Sequence, residues 1–445
     1  MYIILCKEQY MIPIKRLKEL SQTELDGLFN RFGEDFSSIM IRDVVPIVTA
    51  VQKKGDQAVK EYTMKFDGVQ LDSVMATEEE IELAYRDTSE KVLDAFKMAR
   101  DNVWEFHTHQ KRDSIIYTRE DGTTLGMMYQ PIEKVGIYVP GGKASYPSSV
   151  VMGVVPAQIA GASEITVITP PDENGAVPHT IGAVCHVLGV KNILKSGGAH
   201  GIAAAGFGTE TVPAADIIVG PGNIYVTAAK TYLFSLGVIQ IDSMAGPSEV
   251  LVIADESANP EWVTTDLLSQ AEHEERAIAV LITTSPELAK KVEQGITSDI
   301  ESGSGRHQIK KTSIENSGLI LLADSLEECI EFSNRYGPEH MELIVHNPLE
   351  YLTSIKNVGS LFLGGHAPVA VGDYYSGTNH VLPTGGAARY SSGLGVETFL
   401  RRTSFQFLTE RALKKSEKFI TTMAEVEGFD DKHGGSVRIR FDHGK

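Results

Sequence analysis

Cysteine is scarce in this chain, and it has no long apolar run. The three cysteines, Cys6, Cys185 and Cys329, lie far apart and form no CxxC pair, which argues against a disulfide framework and against a cysteine zinc site. No apolar stretch reaches the roughly 18 residues that a bilayer-spanning helix needs. The start of the chain turns polar after a short apolar run and lacks a basic segment, which argues against a signal peptide. We therefore expect a protein of the cytoplasm.

Basic residues are also outnumbered, with 41 Lys and Arg against 59 Asp and Glu and a formal net charge of −18. An acidic chain is a poor candidate for binding nucleic acid or an anionic membrane surface, so we expect neither as a partner. A strict GxGxxG after a strand, the usual dinucleotide fingerprint, is absent as well. A hydrophobic content of 42% is ordinary for a soluble protein, and 445 residues suggest two or more domains.

The pattern of apolar residues changes near residue 134. Residues 22–110 carry apolar positions at three- and four-residue spacing, which predicts helices. Beyond them, short apolar runs alternate with Ala- and Gly-rich helical stretches. That alternation predicts βαβ units, a mostly parallel sheet and hence an α/β fold. The predicted strands are 164–169, 192–195, 216–219, 250–254, 277–283, 319–322, 343–345 and 360–363.

Glycine-rich segments offer a place for a ligand's phosphates. Residues 135–149 (VGIYVPGGKASYPSS) put paired glycines just after a probable strand, where a ligand can approach the backbone closely. Residues 196–213 and 220–223 (GPGN) put exposed backbone N–H groups at helix starts, which suits phosphate or pyrophosphate. Tight turns between elements are the alternative, and the first segment alone does not favour either interpretation.

Two short motifs have the residue types for metal binding and proton transfer. In DLLSQAEH, Gln270 and His273 are three residues apart, a spacing that on a helix puts both on one face, where they could bind one metal ion. A polar surface helix is the commoner meaning of such a pair. Glu339 and His340 follow a proline and could form an acid–base pair, although the dipeptide alone is unremarkable.

Residues 371–395 form a glycine-rich stretch without apolar periodicity, which is typical of a functional loop. Its side chains with metal or hydrogen-bonding capacity are Asp373, Asn379 and His380. Near the C-terminus, Glu427 and His433 precede a strand-like VRIRF segment. A lone terminal histidine is more often solvated than functional.

Six motifs, in this order, resemble those of the histidinol dehydrogenase family. They are VGIYVPGGKASYPSS, GPGNIYVTAAK, AGPSEVLVIAD, DLLSQAEH, PEHMEL and GDYYSGTNHVLPT. The resemblance runs from about residue 135 to residue 440 and is weaker before that. It implies a zinc-dependent enzyme that oxidises L-histidinol through L-histidinaldehyde to L-histidine, reducing one NAD in each of two steps, at the end of histidine biosynthesis.

The resemblance also assigns roles to individual residues. The family's zinc ligands match Gln270, His273, Asp373 and His433, a nitrogen and oxygen set that suits zinc. The catalytic pair matches Glu339, which would activate water on the aldehyde, and His340, which would take the alcohol proton. Substrate contacts carry over to Ser248, Gln270, His273, His340, Asp373, His380, Glu427 and His433. NAD contacts carry over to Tyr138, His200 and Asn223.

The resemblance implies an intertwined homodimer in which Glu427 and His433 of one tail complete the partner's site. It implies two Rossmann-like domains with parallel sheets. We expect four parts in the chain. A helical N-terminal arm and a C-terminal dimerisation tail flank two domains, of which the first carries the metal and catalytic residues and the second is on the NAD side. The corresponding ranges are 1–35 for the arm, 36–135 with 249–393 for the first domain, 136–248 for the second domain and 394–445 for the tail.

The sequence departs from the family pattern at a few positions. His200 stands where the family usually has a glutamine that touches NAD, and the spacing between Glu427 and His433 is one residue longer than the common pattern. These differences leave open a paralogue that oxidises another small alcohol, such as a sulfopropanediol. A non-catalytic relative is disfavoured, because the predicted catalytic and metal-binding residues are all present.

Overall fold

The computed structural model describes residues 12–31, 36–141, 145–243 and 246–441. Parts of the predicted arm, glycine motifs and tail, namely 1–11, 32–35, 142–144, 244–245 and 442–445, lie outside the described residues. The strands are β1 Ile14–Arg16, β2 Ile115–Thr118, β3 Thr124–Pro131, β4 Lys134–Tyr138, β5 Glu164–Thr169, β6 Asn192–Lys195, β7 Ile217–Val219, β8 Gln240–Ile241, β9 Glu249–Ala254, β10 Ile278–Thr283, β11 Leu319–Leu322, β12 His340–Ile344, β13 Ser360–Leu363 and β14 Leu400–Phe407.

Helices connect and cover these strands. They are α1 Gln22–Phe29, α2 Phe36–Ile39, α3 Val45–Lys54, α4 Asp56–Asp67, α5 Glu78–Arg86, α6 Glu90–Thr108, α7 Pro147–Ala160, α8 His179–Leu188, α9 Gly198–Phe207, α10 Ile224–Ser235, α11 Pro260–Ala271, α12 Pro286–Ser302, α13 His307–Ser317, α14 Leu326–Tyr336, α15 Val369–Tyr374, α16 Glu410–Val426 and α17 Gly435–Arg438. Shorter 3₁₀ or π turns span Leu17–Glu19, Met40–Val44, Pro348–Tyr351, Ala387–Arg389, Val396–Phe399 and Asp430–Gly434.

A five-stranded parallel sheet forms the centre of one half of the protein. Its strands run in the order β6-β5-β4-β7-β8, and each neighbouring pair is parallel. The strand β7 (IIV) is apolar and buried throughout, and the last four residues of β5 (EITVIT) are buried, as expected where helices cover both faces of a sheet. Each fully buried Val or Ile side chain contributes roughly 1.5–3 kcal/mol.

A six-stranded parallel sheet forms the other half, in the order β1-β11-β10-β9-β12-β13. Apart from the added β1, both sheets have the Rossmann order 3-2-1-4-5 when each is numbered from its own first strand. The prediction of an α/β fold with two Rossmann-like domains is therefore confirmed. Most predicted strands appear within a residue of their expected bounds, whereas β12 begins at His340 rather than at residue 343.

The helices between residues 36 and 108 pack on α7, α8 and α9, which cover the five-stranded sheet. Buried Val48 and Val59, on α3 and α4, share an apolar core with Ile168 of β5. The predicted grouping places this region with residues 249–393. Apolar periodicity shows which face of a helix is buried but not which element packs against it, and here the helices that pack against this region belong to 136–248.

The N-terminal arm contributes a strand as well as a helix. β1 adds to the edge of the six-stranded sheet beside β11. The helix α1 begins with a capping box, in which the Ser21 hydroxyl accepts from the Glu24 N–H and the Glu24 carboxylate accepts from the Ser21 N–H. The arm is thus part of the domain that carries β9 and β12.

The C-terminal tail leaves apolar surface uncovered. β14 joins an antiparallel sheet in the order β14-β3-β2, and Val437–Arg438 lie in α17 rather than in the strand that VRIRF resembles. Exposed large apolar side chains of the tail include Phe407, Phe419, Met423, Val426 and Ile439, and Ile116 on the nearby β2 is exposed as well. None of the described helices has the length and hydropathy required to cross a bilayer.

Candidate active site

The two sheets meet at a cavity of about 400 Å³. From the five-stranded sheet, the loop after β7 lines the cavity. The strand order reverses between β4 and β7, and parallel sheets usually bind ligands at such a point. The six-stranded sheet presents the opposite, amino ends of β9 and β12. The predicted site residues that line the cavity are Asn223, Ser248, Gln270, His273, Glu339, His340, Asp373 and His380.

The loop after β7 approaches β4 so closely that it requires glycine. Gly220 has a φ of 112°, and a Cβ there would lie 2.1 Å from the Tyr138 carbonyl oxygen. The Gly220 N–H donates to Asp242 Oδ2 at 2.8 Å, and its carbonyl accepts from Lys230 Nζ at 3.0 Å. Lys230 and Asp242 also form a buried ion pair with each other. This clamp holds the GPGN loop at the cavity wall.

Asn223 begins the helix that follows this loop. Its Oδ1 accepts from the N–H groups of Tyr225 at 3.0 Å and Val226 at 3.1 Å, which makes it the N-cap of α10. Asn223 and Ile224 both line the cavity. A helix start facing a cavity favours an anionic group such as a pyrophosphate.

Glu339 and His340 are both held by the main chain of Glu249. The Glu249 N–H donates to Glu339 Oε2 at 2.8 Å. His340 Nδ1 donates to the Glu249 carbonyl oxygen at 3.1 Å, because a carbonyl can only accept. The neutral imidazole therefore carries its hydrogen on Nδ1 and its lone pair on Nε2. Nε2 is buried with no partner among the described residues, which leaves a proton acceptor free at the cavity.

Burial shifts the two pKa values in opposite directions. It lowers the pKa of His340 to about 4, so the imidazole is neutral at pH 7. It raises the pKa of Glu339 well above its usual range, and the nearby carboxylates of Glu249 and Asp373 add to that shift. Neighbouring groups with such opposed shifts are typical of acid–base sites.

Gln270, His273 and Asp373 line the same cavity. The first two lie at the end of α11, and the third lies on α15. α11 ends at Ala271, so His273 lies in the turn after the helix and donates its N–H to the Gln270 carbonyl at 3.2 Å. Asp373 lies on α15, a short helix inside the stretch that the sequence predicts to be a loop. Burial lowers the pKa of His273 and raises that of Asp373 to about 6.

This donor set fits a metal ion bound through nitrogen and oxygen. Gln270 is buried and its Nε2 has no hydrogen-bond partner among the described residues, and a metal ion would bind this amide through Oε1, because an amide nitrogen only donates. An amide, an imidazole and a carboxylate together suit zinc and similar ions. Across the described ranges, no three His, Cys, Asp or Glu side chains gather as a metal cluster. Of those types, the set here contributes only His273 and Asp373, so a four-ligand site requires a further residue.

His380 is tied to Asp373 by its ring. Its Nδ1 donates to the Asp373 carbonyl oxygen at 3.3 Å, which leaves Nε2 to accept from the Ser149 hydroxyl at 3.2 Å. Burial lowers the pKa of His380 to about 4. The adjacent Asn379 is buried and donates to the Met152 carbonyl at 2.8 Å, so it anchors this segment rather than facing a ligand.

Four predicted site residues lie away from the cavity. Glu427 is exposed at the end of α16, and His433 is exposed in the Asp430–Gly434 turn. Tyr138 is buried beneath the glycine loops and accepts from the Gly198 N–H at 3.2 Å. His200 is buried against α4, with its Nε2 at 3.3 Å from Thr63 Oγ1.

Sequence reasoning missed several residues that support the site. Glu342 lies two residues after His340 on β12, and its Oε1 accepts from the Val369 N–H at 3.0 Å, at the start of the helix that carries Asp373. Asp266 lies one helical turn before Gln270. Burial raises the pKa of both Asp266 and Glu342. Their spacing from the predicted residues, two on a strand and four on a helix, was a usable signal.

Other missed residues have no such local signal. Ser149 lies in the glycine-rich motif of residues 135–149 and Glu249 in AGPSEV, and neither motif indicates a role for the individual residue. Arg31 lies more than 200 positions before Glu249, yet the two side chains form an ion pair next to the cavity. Nothing in the sequence relates these two positions.

Comparison with known proteins agrees with this architecture. A sequence model of the histidinol dehydrogenase family matches residues 31–441. The histidinol dehydrogenase of Methanocaldococcus jannaschii is 46% identical over 428 residues, covering 96% of this chain and 98% of the relative. That of Clostridium acetobutylicum is 45% identical, covering 96% and 99%. The crystal structure of histidinol dehydrogenase from Elizabethkingia anophelis has a TM-score of 0.90 and 38% identity, covering 97% of this chain and 98% of that one.

The fold and the cavity define an α/β enzyme with paired Rossmann-like domains and acid–base side chains between them. The family match spans most of the chain, and the relatives are well above 30% identical over nearly their full length. The chain belongs to the histidinol dehydrogenase family.

Proposed function

We propose that this protein is a zinc-dependent, NAD-linked histidinol dehydrogenase of the cytoplasm that oxidises L-histidinol to L-histidine. The observation that carries the proposal is the neutral His340 imidazole, whose buried Nε2 has no partner among the described residues, in one cavity with Gln270, His273 and Asp373. The relatives named above favour histidinol over the alternative of another small alcohol.

In the first oxidation, His340 acts as the general base. Its Nε2 accepts the hydroxyl proton of the substrate while the carbon-bound hydrogen leaves as hydride to the nicotinamide, and the product is the aldehyde. The hydrogen bond from Nδ1 to the Glu249 carbonyl holds the ring in the accepting tautomer. That bond also stabilises the imidazolium formed after the transfer.

In the second oxidation, water adds to the aldehyde and the hydrate loses a second hydride to a second NAD. Glu339, in its carboxylate form, accepts a proton from the attacking water, and its Oε2 is held by the Glu249 N–H at 2.8 Å. His340 lies beside it, with Nδ1 at 3.5 Å from Glu339 Oε2; after its Nε2 has released the first proton to solvent, it accepts the remaining hydroxyl proton. The product is the carboxylate.

Gln270, His273 and Asp373 are the residues that would hold the metal ion, with His433 as the fourth ligand. When bound, zinc would hold the imidazole and amino groups of the substrate in place beside the nicotinamide. Ser248 and His380, which line the same cavity, would contact the substrate, as would Glu427 if the tail of a partner reaches this site.

NAD would bind where the GPGN loop and the start of α10 face the cavity, with Asn223 in contact with it. Tyr138 and His200 lie behind the glycine loops, so their part in NAD binding would be to support the loops rather than to line the cavity. A family glutamine replaced by a buried histidine is compatible with that supporting role.

Gly220→Ala is expected to weaken NAD binding by roughly 10-fold or more, because it adds positive-φ strain and drives a methyl group into the Tyr138 carbonyl. Titration calorimetry with NAD would measure the change. Gly237→Ala is the matched control, since Gly237 has a φ of 70° and open space around it. Equal NAD affinity in the Gly220 and Gly237 variants would contradict a role for this close approach.

A homodimer with shared sites would supply the missing ligand. Glu427 and His433 are exposed, and the neighbouring α16 leaves Phe419, Met423 and Val426 without cover. Apolar surface of this kind is typical of a protein interface. In a two-fold dimer each tail would reach the partner's cavity and bring His433 to its Gln270 and Asp373.

Mixing two inactive variants is expected to restore activity if the sites are shared. A His433→Ala chain keeps its own His340, and a His340→Ala chain keeps its own His433, so each mixed dimer would hold one complete site. Random reassembly should then recover about one quarter of wild-type activity. Proven mixed dimers that remain inactive would show that each tail serves its own chain.

The proposed function as a whole is tested by supplying purified enzyme, zinc and NAD with L-histidinol and following NADH. We expect two NADH per histidinol consumed and L-histidine as product. Activity with a sulfopropanediol and none with histidinol would overturn the assignment in favour of the paralogue.

A further inference from the structure

A buried ion pair lies directly behind the two proposed catalytic residues. Arg31 Nε donates to Glu249 Oε2 at 2.7 Å, and Arg31 Nη2 donates to Glu249 Oε1 at 2.9 Å. The Arg31 and Glu249 side chains are only 6% and 0% exposed. The pair therefore joins the N-terminal arm to the first residue of β9, out of contact with bulk solvent.

Both partners are held in place by further contacts. The Arg31 guanidinium stacks on the Tyr336 ring at 3.6 Å and donates to the Tyr336 carbonyl at 3.0 Å. The Glu249 carboxylate also accepts from the Gly385 N–H at 3.1 Å and from the Tyr336 hydroxyl at 3.4 Å. The planar Arg31 guanidinium makes two hydrogen bonds to the Glu249 carboxylate, and both groups are held by other contacts. The pair therefore has a fixed orientation as well as a fixed distance.

Glu249 is also the residue whose main chain holds the catalytic pair. Its N–H donates to Glu339 and its carbonyl accepts from His340. Any rotation of the Glu249 residue therefore moves the bond that fixes the His340 tautomer and aims Nε2. Arg31 restrains that rotation through the carboxylate of the same residue.

Burying an arginine and a glutamate costs desolvation free energy, and replacing such a pair with apolar residues is often neutral or stabilising. Stability alone is therefore a weak reason for the pair. The ion pair contacts the proposed catalytic residues through Glu249, so it can hold them in position. That matters for the rate, because a displacement of about 1 Å at a reacting group can cost 10²-fold.

We propose that Arg31 is a positioning residue for the oxidation: through Glu249 it fixes the orientation of His340 and Glu339. The inference rests on the proposed function, in which these two residues transfer the protons. Arg31 does not itself react, although it also borders the cavity. The N-terminal arm, through Arg31, then contributes to the geometry of the active site.

Arg31→Lys tests the proposal, because it keeps the charge but loses the two-pronged fork. We expect kcat for histidinol to fall about 10- to 100-fold, KM for NAD to stay within about twofold of wild type, and the melting temperature to stay close to that of wild type. Arg31→Met, which also removes the charge, should lower kcat further. Wild-type kcat in Arg31→Lys would overturn the proposal.

Arg335→Lys is the matched control, since Arg335 also stacks on an aromatic ring, with its guanidinium 4.6 Å from the centre of Phe29, but is exposed and away from the cavity. It should retain wild-type kcat. If Arg31→Met fails to fold, the kcat of Arg31→Lys still tests the positioning role of Arg31.

A crystal structure of Arg31→Lys gives a readout that does not depend on activity. We expect the distance from His340 Nδ1 to the Glu249 carbonyl to lengthen from 3.1 Å and the ring to rotate. An unchanged distance and ring orientation would overturn the positioning role. A wild-type enzyme that is inactive on histidinol would overturn the proposed function instead, and the crystallographic distance would still test Arg31.

Discussion

Replacing His340 by alanine is expected to lower kcat for histidinol by roughly 10²–10⁴-fold, the range that a lost general base usually costs. Burial lowers the pKa of His340 to about 4, so the wild-type imidazole is in its accepting form at pH 7. Because the variant keeps Gln270, His273 and Asp373, its zinc content should match that of wild type. Steady-state NADH formation and metal analysis would measure the two effects.

His346→Ala is the control for this experiment. His346 follows the other end of the same strand and is exposed, so its loss should leave turnover unchanged. Equal activity in His340→Ala and wild type would remove His340 from the mechanism. Loss of zinc in His340→Ala would instead give His340 a part in metal binding.

Replacing His273 by alanine is expected to abolish activity through loss of the metal. Removing even an outer partner of a ligand typically costs 10- to 100-fold in metal affinity, so loss of a direct ligand should cost at least that much. Wild-type protein should retain about one zinc ion per chain after dialysis against a weak chelator, and the variant should retain much less. Mass spectrometry of the metal content would measure the difference.

The variant Thr265→Ala is the control for loss of the metal. Thr265 lies on the same helix as Gln270 but is exposed, so this variant should keep both zinc and activity. Activity restored to His273→Ala by excess zinc would fit weakened binding. If His273→Ala keeps wild-type zinc content after dialysis, His273 is not a ligand and the proposed metal site is wrong.

The position of the site illustrates how far general rules apply to this fold. The five-stranded sheet follows the rule that ligands bind beyond the carboxyl ends of parallel strands, at the point where strand order reverses. The six-stranded sheet has the same strand order but contributes the amino ends of β9 and β12. A rule about one sheet could not predict this, because the cavity is defined by how two sheets face each other.

The parallel α/β class and two segments of the cavity wall can be predicted from the amino-acid sequence. Fully buried strands read as short continuous apolar runs, and the spacing of DLLSQAEH and PEHMEL is a local property that the chain carries without its partners. The site as a whole was predicted from the family resemblance, and eight of the twelve residues that it assigns line one cavity.

The contacts between distant segments are seen in the three-dimensional structure alone. In the folded protein, the helices of 36–108 pack on the helices that cover the five-stranded sheet, Arg31 pairs with Glu249, and a main-chain carbonyl sets the His340 tautomer. These depend on pairings across a hundred or more residues, or on a backbone group that every residue shares. Local sequence patterns predict neither the long-range pairings nor the backbone hydrogen bonds, because they indicate which side of an element is buried and not what packs against it.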